Sequence, residues 1–449
     1  MDGLLFSNHT PTPGLHEYKK AIEPVQALNF SGNDVTIINR YDHITLDHLK
    51  CEWKIVGGEN ATSTKEVVIP KGVFSVAIER PMRFTDSLPG IQPGTKMTLK
   101  LEDIQEALQH CLKESNAEHL LEITFTLKNP TPWAEAGHEV AFGQFQLHSP
   151  PKLQLLKELG PSTAPKCTQI SPQTLEISGG DNIWTFNLAN GTLISWRKCG
   201  TEVIHTPLVL GFYRALTDND RSSFGWSWRN SRLHQAHSHF RSTTWSTNSK
   251  GVTVEVNNRI APPVYNWSVD ATLTYTFTAH RVALKVLGVP RGDRLPDTFA
   301  RIGLTLALNN TTKATWWGRG PGESYRDKKL SQRIGKYSAS IDELFTDYEF
   351  PQDSGNRTDV RWVEFAGTGP TMKASFGDLE GASFSALHYT TADLDECRHP
   401  YELYKTKKEE TIVRLDWDHH GLGTGSCGPP TLPKYQLKPG RFEYEILLE

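Results

Sequence analysis

The sequence predicts a mainly β protein dominated by a large antiparallel sandwich. Its 449 residues include 12 Trp, 35 Gly and 27 Pro, a balance that favours sheets and turns over helical bundles. At 267–277 the alternation is strict. Trp267, Val269, Ala271, Leu273, Tyr275 and Phe277 are apolar on one parity, and Ser268, Asp270, Thr272, Thr274 and Thr276 fill the other. Side chains along a strand point to opposite faces, so this stretch reads as a half-buried antiparallel strand.

The same pattern recurs in Val282, Leu284 and Val286, and in Ile302, Leu304, Leu306 and Leu308. Turn signals such as Pro290-Arg291-Gly292-Asp293 and Asn309-Asn310 separate the runs. Helical signals are few. Leu15, Tyr18 and Ile22 share a face, with Thr12 as N-cap, Pro13 at N1 and Pro24 as terminator. Ile104, Leu108, Cys111 and Leu112 define a second helix within 101–113. A strand-like segment at 4–6 followed by one helix cannot enclose a core, because a domain needs two packed layers. The first 25 residues are therefore expected to be the tail of a domain lying upstream. A chain of this length exceeds one ordinary core, so roughly two or three domains are expected. Boundaries fall near residue 25 and in the proline-rich stretch between 150 and 168.

Net charge is −3 with both signs interspersed, which offers no electrostatic footprint for nucleic acid or an anionic membrane. No apolar run approaches the roughly 20 residues that cross a bilayer. The opening Met1-Asp2-Gly3-Leu4-Leu5-Phe6 lacks the basic and apolar regions of a signal peptide. The six cysteines lack C-x-x-C spacing, which argues against a metal cluster and suits a reducing, cytoplasmic compartment.

Five segments, in order, carry a resemblance: Met1-Asp2-Gly3-Leu4-Leu5-Phe6 with Thr10-Pro11-Thr12-Pro13-Gly14-Leu15; Trp133-Ala134-Glu135-Ala136-Gly137-His138-Glu139-Val140-Ala141; Arg214-Ala215-Leu216-Thr217-Asp218-Asn219-Asp220; Trp317-Gly318-Arg319-Gly320-Pro321-Gly322-Glu323-Ser324-Tyr325; and Gly421-Leu422-Gly423-Thr424-Gly425-Ser426-Cys427-Gly428-Pro429. Together they resemble the long β-galactosidases of glycoside hydrolase family 2. The resemblance implies a mainly β C-terminal part of such an enzyme: a (β/α)8-barrel remnant at 1–25, an immunoglobulin-like sandwich at 26–150, a linker at 151–167, and a large galactose-mutarotase-like antiparallel β-sandwich at 168–449. It further implies hydrolysis of terminal β-D-galactosides such as lactose by the complete enzyme, with Mg and Na or K as its cations. The implied partners are a β-galactoside sugar, the barrel-containing N-terminal part and further copies in an oligomer. Retaining glycosidases need two carboxyls about 5–5.5 Å apart. In the family both belong to the barrel, and no Glu here matches either motif, so this chain is expected to supply architecture and sugar contacts without the catalytic pair.

Site expectations follow from the resemblance and keep their alternatives. Asp2 falls at a cation-ligand position, or is an exposed terminal carboxylate. Cys427 falls where other members present a Trp to the sugar, or is simply a thiol in a Gly-rich loop. Asp218, Asn219 and Asp220 either anchor a loop or contact hydroxyls near the sugar, or build Asx-turns. Arg319 and Glu323 are expected to pair, Gly318 and Gly320 to supply turns, and His138 to be partly buried. The run Phe224-Gly225-Trp226-Ser227-Trp228 reads as a sugar-stacking platform or a strand edge. Two rival readings are a free-standing carbohydrate-binding module and a mutarotase-like enzyme drawing on His388, His419, His420 and Glu364.

Overall fold

The computed structural model describes residues 3–57, 90–101, 104–114, 117–149, 164–249, 251–377 and 380–449. Asp2 and most of the expected linker lie outside them. The chain divides into two compact units, His9–Pro151 and Met1–Asn8 with Lys152–Glu449.

In the smaller unit, helix α1 (Pro13–Ala21) begins as the sequence predicts, with the Thr12 hydroxyl accepting from the Leu15 amide at 3.3 Å and Pro13 in the first turn. It closes at Ile22, before Pro24. Strands β1 (Val25–Ser31), β2 (Asp34–Asn39), β3 (Leu49–Gly57), β4 (Lys96–Lys100), β5 (His119–Leu127) and β6 (Glu139–His148) form two antiparallel sheets ordered β1-β2-β4 and β3-β5-β6. Helix α2 (Ile104–Glu114) buries Ile104, Leu108 and Cys111 in the same core as Val35, Ile37, Trp53, Ile123 and Phe125. One apolar stripe thus closes a core that two small sheets leave open. His138 is exposed rather than partly buried, because the turn leading into β6 holds it edge-on to the exposed Trp133 at 5.4 Å.

The larger unit carries an antiparallel meander between 166 and 202 and two further sheets. The nine-stranded sheet runs, in spatial order, His237–Asn248, Gly251–Ala261, Ser268–Phe277, Val282–Arg291, Phe442–Leu448, Met372–Phe376, Trp362–Gly367, Thr311–Gly320 and Arg333–Ser340. The five-stranded sheet runs Ile204–Gly211, Arg301–Leu308, Thr411–His419, Ser383–Leu387 and Arg357–Thr358. Every pairing recorded in these sheets is antiparallel. The alternation at 267–277 is realised: Val269, Ala271, Leu273, Tyr275 and Phe277 are buried, and the intervening residues from Asp270 onward are half-exposed. One continuous core joins Trp184 and Phe186 of the meander to Leu273 and Leu284 of one sheet and Leu304 and Val413 of the other.

Residues 4–6 do not form a strand; instead the Phe6 ring lies 5.9 Å from Tyr348, and the Ser7 amide donates to Glu349 at 2.8 Å. Gly318 and Gly320 lie within the strand Thr311–Gly320 rather than in turns. A Cβ on Gly318 would come within 2.8 Å of the Val360 backbone, and one on Gly320 within 2.6 Å of the Tyr337 ring, so these glycines allow close approach.

Candidate functional site

Three connecting segments of the larger unit converge: 214–230, 321–327 and the 421–429 loop. The first carries two short helices, α3 (Asp218–Arg221) and α4 (Gly225–Asn230). Thr217 caps α3, its hydroxyl accepting from the Asp220 amide while the Asp220 carboxylate accepts from the Thr217 amide, a reciprocal capping box.

Beneath α3 sits Arg214, fully buried. Its Nε and Nη2 donate to the two oxygens of Asp220 at 3.1 and 2.8 Å. The remaining donors reach His419 Nδ1 at 2.8 Å, the His420 carbonyl at 2.7 Å and the Gly421 carbonyl at 3.2 Å. A planar fork with five N–H groups suits this combination of one carboxylate and several carbonyls. Burial opposes the charge on Arg214, but Asp220 outweighs it and holds the guanidinium above its ordinary range. Burial and then the Arg214 charge push His419 well below the usual imidazole range, and the same two causes push His420 down to about 3. Both rings are therefore neutral near pH 7. In His420 the Nδ1–H donates to the Gly421 carbonyl at 2.8 Å, and Nε2 meets no hydrogen-bond partner among the described residues.

The 421–429 loop is held from two sides. Asp327 accepts from the Leu422 and Gly423 amides at 2.8 and 2.7 Å. Asn219 donates from Nδ2 to the Gly423 carbonyl at 2.9 Å, and its Oδ1 accepts from the Ser426 amide at 3.1 Å and the Ser426 hydroxyl at 2.8 Å. Cys427 follows directly and is exposed, its amide donating to the Thr424 carbonyl at 3.1 Å. Native protein should accordingly label with a maleimide at Cys427 at an ordinary thiol rate, without prior denaturation. Mass spectrometry of the labelled peptide checks this, and labelling confined to unfolded protein would contradict the exposure.

The three residues of the Asp-Asn-Asp run thus do different things. Asp220 is buried under α3, and Asn219 ties α3 to the loop. Asp218 is partly exposed and bonded to Arg221 at 3.0 Å and to Gln352 at 3.3 Å. Sequence reasoning passed over Arg214 and Asp327. Arg214 opens the R-A-L-T-D-N-D segment, and Asp327 stands two residues beyond Tyr325, the end of the run that starts at Trp317, but no local pattern announces either contact. The expected Arg319–Glu323 pair does not form. Arg319 reaches Asp359 at 2.5 Å, while Glu323 pairs with Lys328 at 3.4 Å and accepts from the Tyr348 hydroxyl at 2.9 Å. The strand Thr311–Gly320 ends between the two residues, which sends them in different directions. Residues 225–228 form helix rather than a strand edge. Trp228 is core, donating to Thr298 at 3.0 Å, and Trp226 is 73% exposed.

His419 and His420 are committed to Arg214 and Gly421, and Glu364 stands in the other sheet from His419. These groups do not assemble the acid–base pair a mutarotase requires. Among the described residues no group of three or more His, Cys, Asp or Glu side chains is placed to hold a metal ion. No described helix is long and apolar enough to cross a membrane.

The model of the β-galactosidase small chain matches residues 178–448, the greater part of the larger unit and over half the chain. The chain belongs to that family. A second model, β-galactosidase domain 4, matches residues 35–148, so both units are covered in the order that marks a C-terminal part of a β-galactosidase. The β-galactosidase of Kluyveromyces lactis is 30% identical over 99% of this chain, and that of an Arthrobacter species 28% over 98%. The chain spans only 39% and 42% of those two proteins. Among solved structures, a galactose mutarotase related enzyme from Lactobacillus acidophilus aligns with 63% of this chain and 96% of its own at 8% identity, with a TM-score of 0.31.

Proposed function

We propose that this chain is the non-catalytic C-terminal portion of a β-galactosidase that hydrolyses terminal β-D-galactosides such as lactose. In this reading it supplies architecture and contacts to the sugar while a barrel-bearing part supplies the paired carboxyls. The observation that carries the reading is the match of the chain from end to end to about two fifths of two β-galactosidases. The smaller unit serves as an immunoglobulin-like spacer, a role supported by its two three-stranded antiparallel sheets around one core. The 421–429 loop serves as the sugar-side element, with Cys427 presented outward as a small apolar contact in place of an aromatic face. Asp2 is proposed as a cation ligand of the complete enzyme. That enzyme is taken to be an oligomer of the cytoplasm.

The test is turnover of o-nitrophenyl β-galactoside at millimolar concentration. The purified chain alone should release no nitrophenol above background, because the covalent route needs two carboxyls about 5–5.5 Å apart flanking one bond. Turnover abolished by a single Glu→Gln change in this chain would overturn the proposal.

A further inference from the structure

Deepening the reading of the 421–429 loop as the sugar-side element, we propose that Asp327 and Asn219 are positioning residues that clamp this loop and thereby set how the enzyme handles an acceptor sugar. The clamp has two independent jaws. Asp327 is acceptor-only when ionised, and each of its oxygens takes one backbone N–H, from Leu422 and from Gly423. Asn219 bonds both polarities: its amide donates to the Gly423 carbonyl and its oxygen accepts twice from Ser426. The two jaws meet at Gly423, which donates to one and accepts from the other, and the Asn219 jaw ends one residue before Cys427.

The glycines fit this arrangement. A Cβ on Gly421 would lie 2.7 Å from the Asp327 carboxyl carbon, and one on Gly425 would lie 2.8 Å from the Asn219 carbonyl oxygen. Side chains at these positions would push the loop off the clamp. Each jaw is itself anchored. Asn219 sits in α3, whose buried Asp220 is locked to Arg214, and Arg214 also holds the Gly421 carbonyl at the base of the loop. Asp327 directly follows Arg326, whose Nη1 lies 3.0 and 2.9 Å from the two oxygens of Asp418 on the strand entering the loop. A loop with several glycines is mobile on its own. Held at both ends and from two sides, it presents Cys427 at one place, and a contact to an acceptor sugar gains from that loss of freedom.

The experiment has two readouts. In the 449-residue chain, amide exchange is followed at Leu422, Gly423 and Ser426 for the parent, Asp327→Asn, Asp327→Ala and Asn219→Ala. Asp327→Asn keeps the shape but turns an NH2 group toward a backbone N–H, so protection at Leu422 or Gly423 should fall roughly ten- to a hundredfold. Asn219→Ala should lower protection at Ser426 and leave the Asp327 jaw closed. In the β-galactosidase that carries this chain, the ratio of transfer to hydrolysis is then measured with glucose as the added acceptor. It should drop severalfold in all three variants while the far-UV circular dichroism of each variant matches the parent, a split that loss of folding would not produce. Unchanged protection in both Asp327 variants overturns the clamp. Lost protection with an unchanged transfer ratio leaves the clamp standing but overturns its role in acceptor handling, and with it the placement of the loop at the sugar.

Discussion

Replacing Arg214 by Ala lowers the stability of the larger unit by about 3–5 kcal/mol, the cost of stripping one partner from a buried ion pair. The Arg214 and Asp220 side chains are 0% and 1% exposed and 2.8 Å apart, so no solvent is at hand to take over from the guanidinium. Asp220→Ala belongs to the same range, because it leaves a cation among aromatic rings: Trp228 at 5.5 Å and Tyr325 at 5.8 Å from the guanidinium carbon. Removing both charges together is a different experiment. Arg214→Met with Asp220→Leu takes away the unpaired charge as well as the pair, and buried pairs exchanged for apolar groups are often neutral or stabilising. The double variant should therefore be less destabilised than the sum of its own singles, Arg214→Met and Asp220→Leu, with a coupling energy above about 1 kcal/mol. It should nevertheless loosen the base of the 421–429 loop, since the His420 and Gly421 carbonyls lose the Arg214 donors and Gly421 keeps only those of His420 and Thr431. Urea unfolding of the three proteins decides this. Additive losses would mean that Arg214 acts mainly through the carbonyls.

What could be read from the sequence divides along the range of the interactions. The strand at 267–277 was legible because alternation is a local property, and a sheet buried on one face imposes it residue by residue. The start of α1 was legible because Thr12 and Pro13 act within one turn. His138 was misread because a local turn holds it at the surface beside Trp133, and Arg319 and Glu323 because their partners are chosen by tertiary contact. Arg319 finds Asp359 forty positions away, and Glu323 gathers Thr346, Tyr348 and the Gly355 amide. The strand-edge alternative for the aromatic run at 224–228 failed for a related reason. Only Trp228 has a pocket to fill, and a short helix delivers it there while turning Trp226 to solvent. The motifs lie in segments that the fold brings together, yet the contacts that join them link residues about 100 and 200 positions apart, as in Asp327–Gly423 and Asn219–Gly423. A single sequence carries no signal at that range.

Acidification from pH 7.5 to 4.5 should destabilise the larger unit, and His420 should account for a separable share. Burial, followed by the Arg214 charge, holds this imidazole near 3 in the folded chain, against about 6.5 when unfolded. Between those values the unfolded state binds the extra proton, so stability is fully present above about 6.5 and is lost as pH falls, at about 1.4 kcal/mol per unit for each such group. His419 is depressed in the same sense, by burial and by Arg214, Arg301 and Arg414. Asp416 works against them. Burial raises its carboxyl to about 6 despite Arg301 and Arg414, so the folded state binds the extra proton between about 3.8 and 6 and one histidine is cancelled there. Asp359, held down to about 2 by Arg319 and Lys329 against its burial, loses its contribution only below about 3.8 and takes no part in this window. The groups nearest His420 are Arg214, Asp327 and Lys438; the two cations oppose protonation and Asp327 favours it less strongly than Arg214 opposes it. In His420→Asn the side-chain NH2 can still donate toward the Gly421 carbonyl, but nothing remains to titrate. Its unfolding free energy, measured by urea titration at half-unit steps, should fall less steeply with acid by about 1.4 kcal/mol per pH unit between 6.5 and 4.5. A parallel decline in variant and parent would show that His420 is protonated in the folded protein, and the ring would then need an anionic neighbour in place of the Gly421 carbonyl.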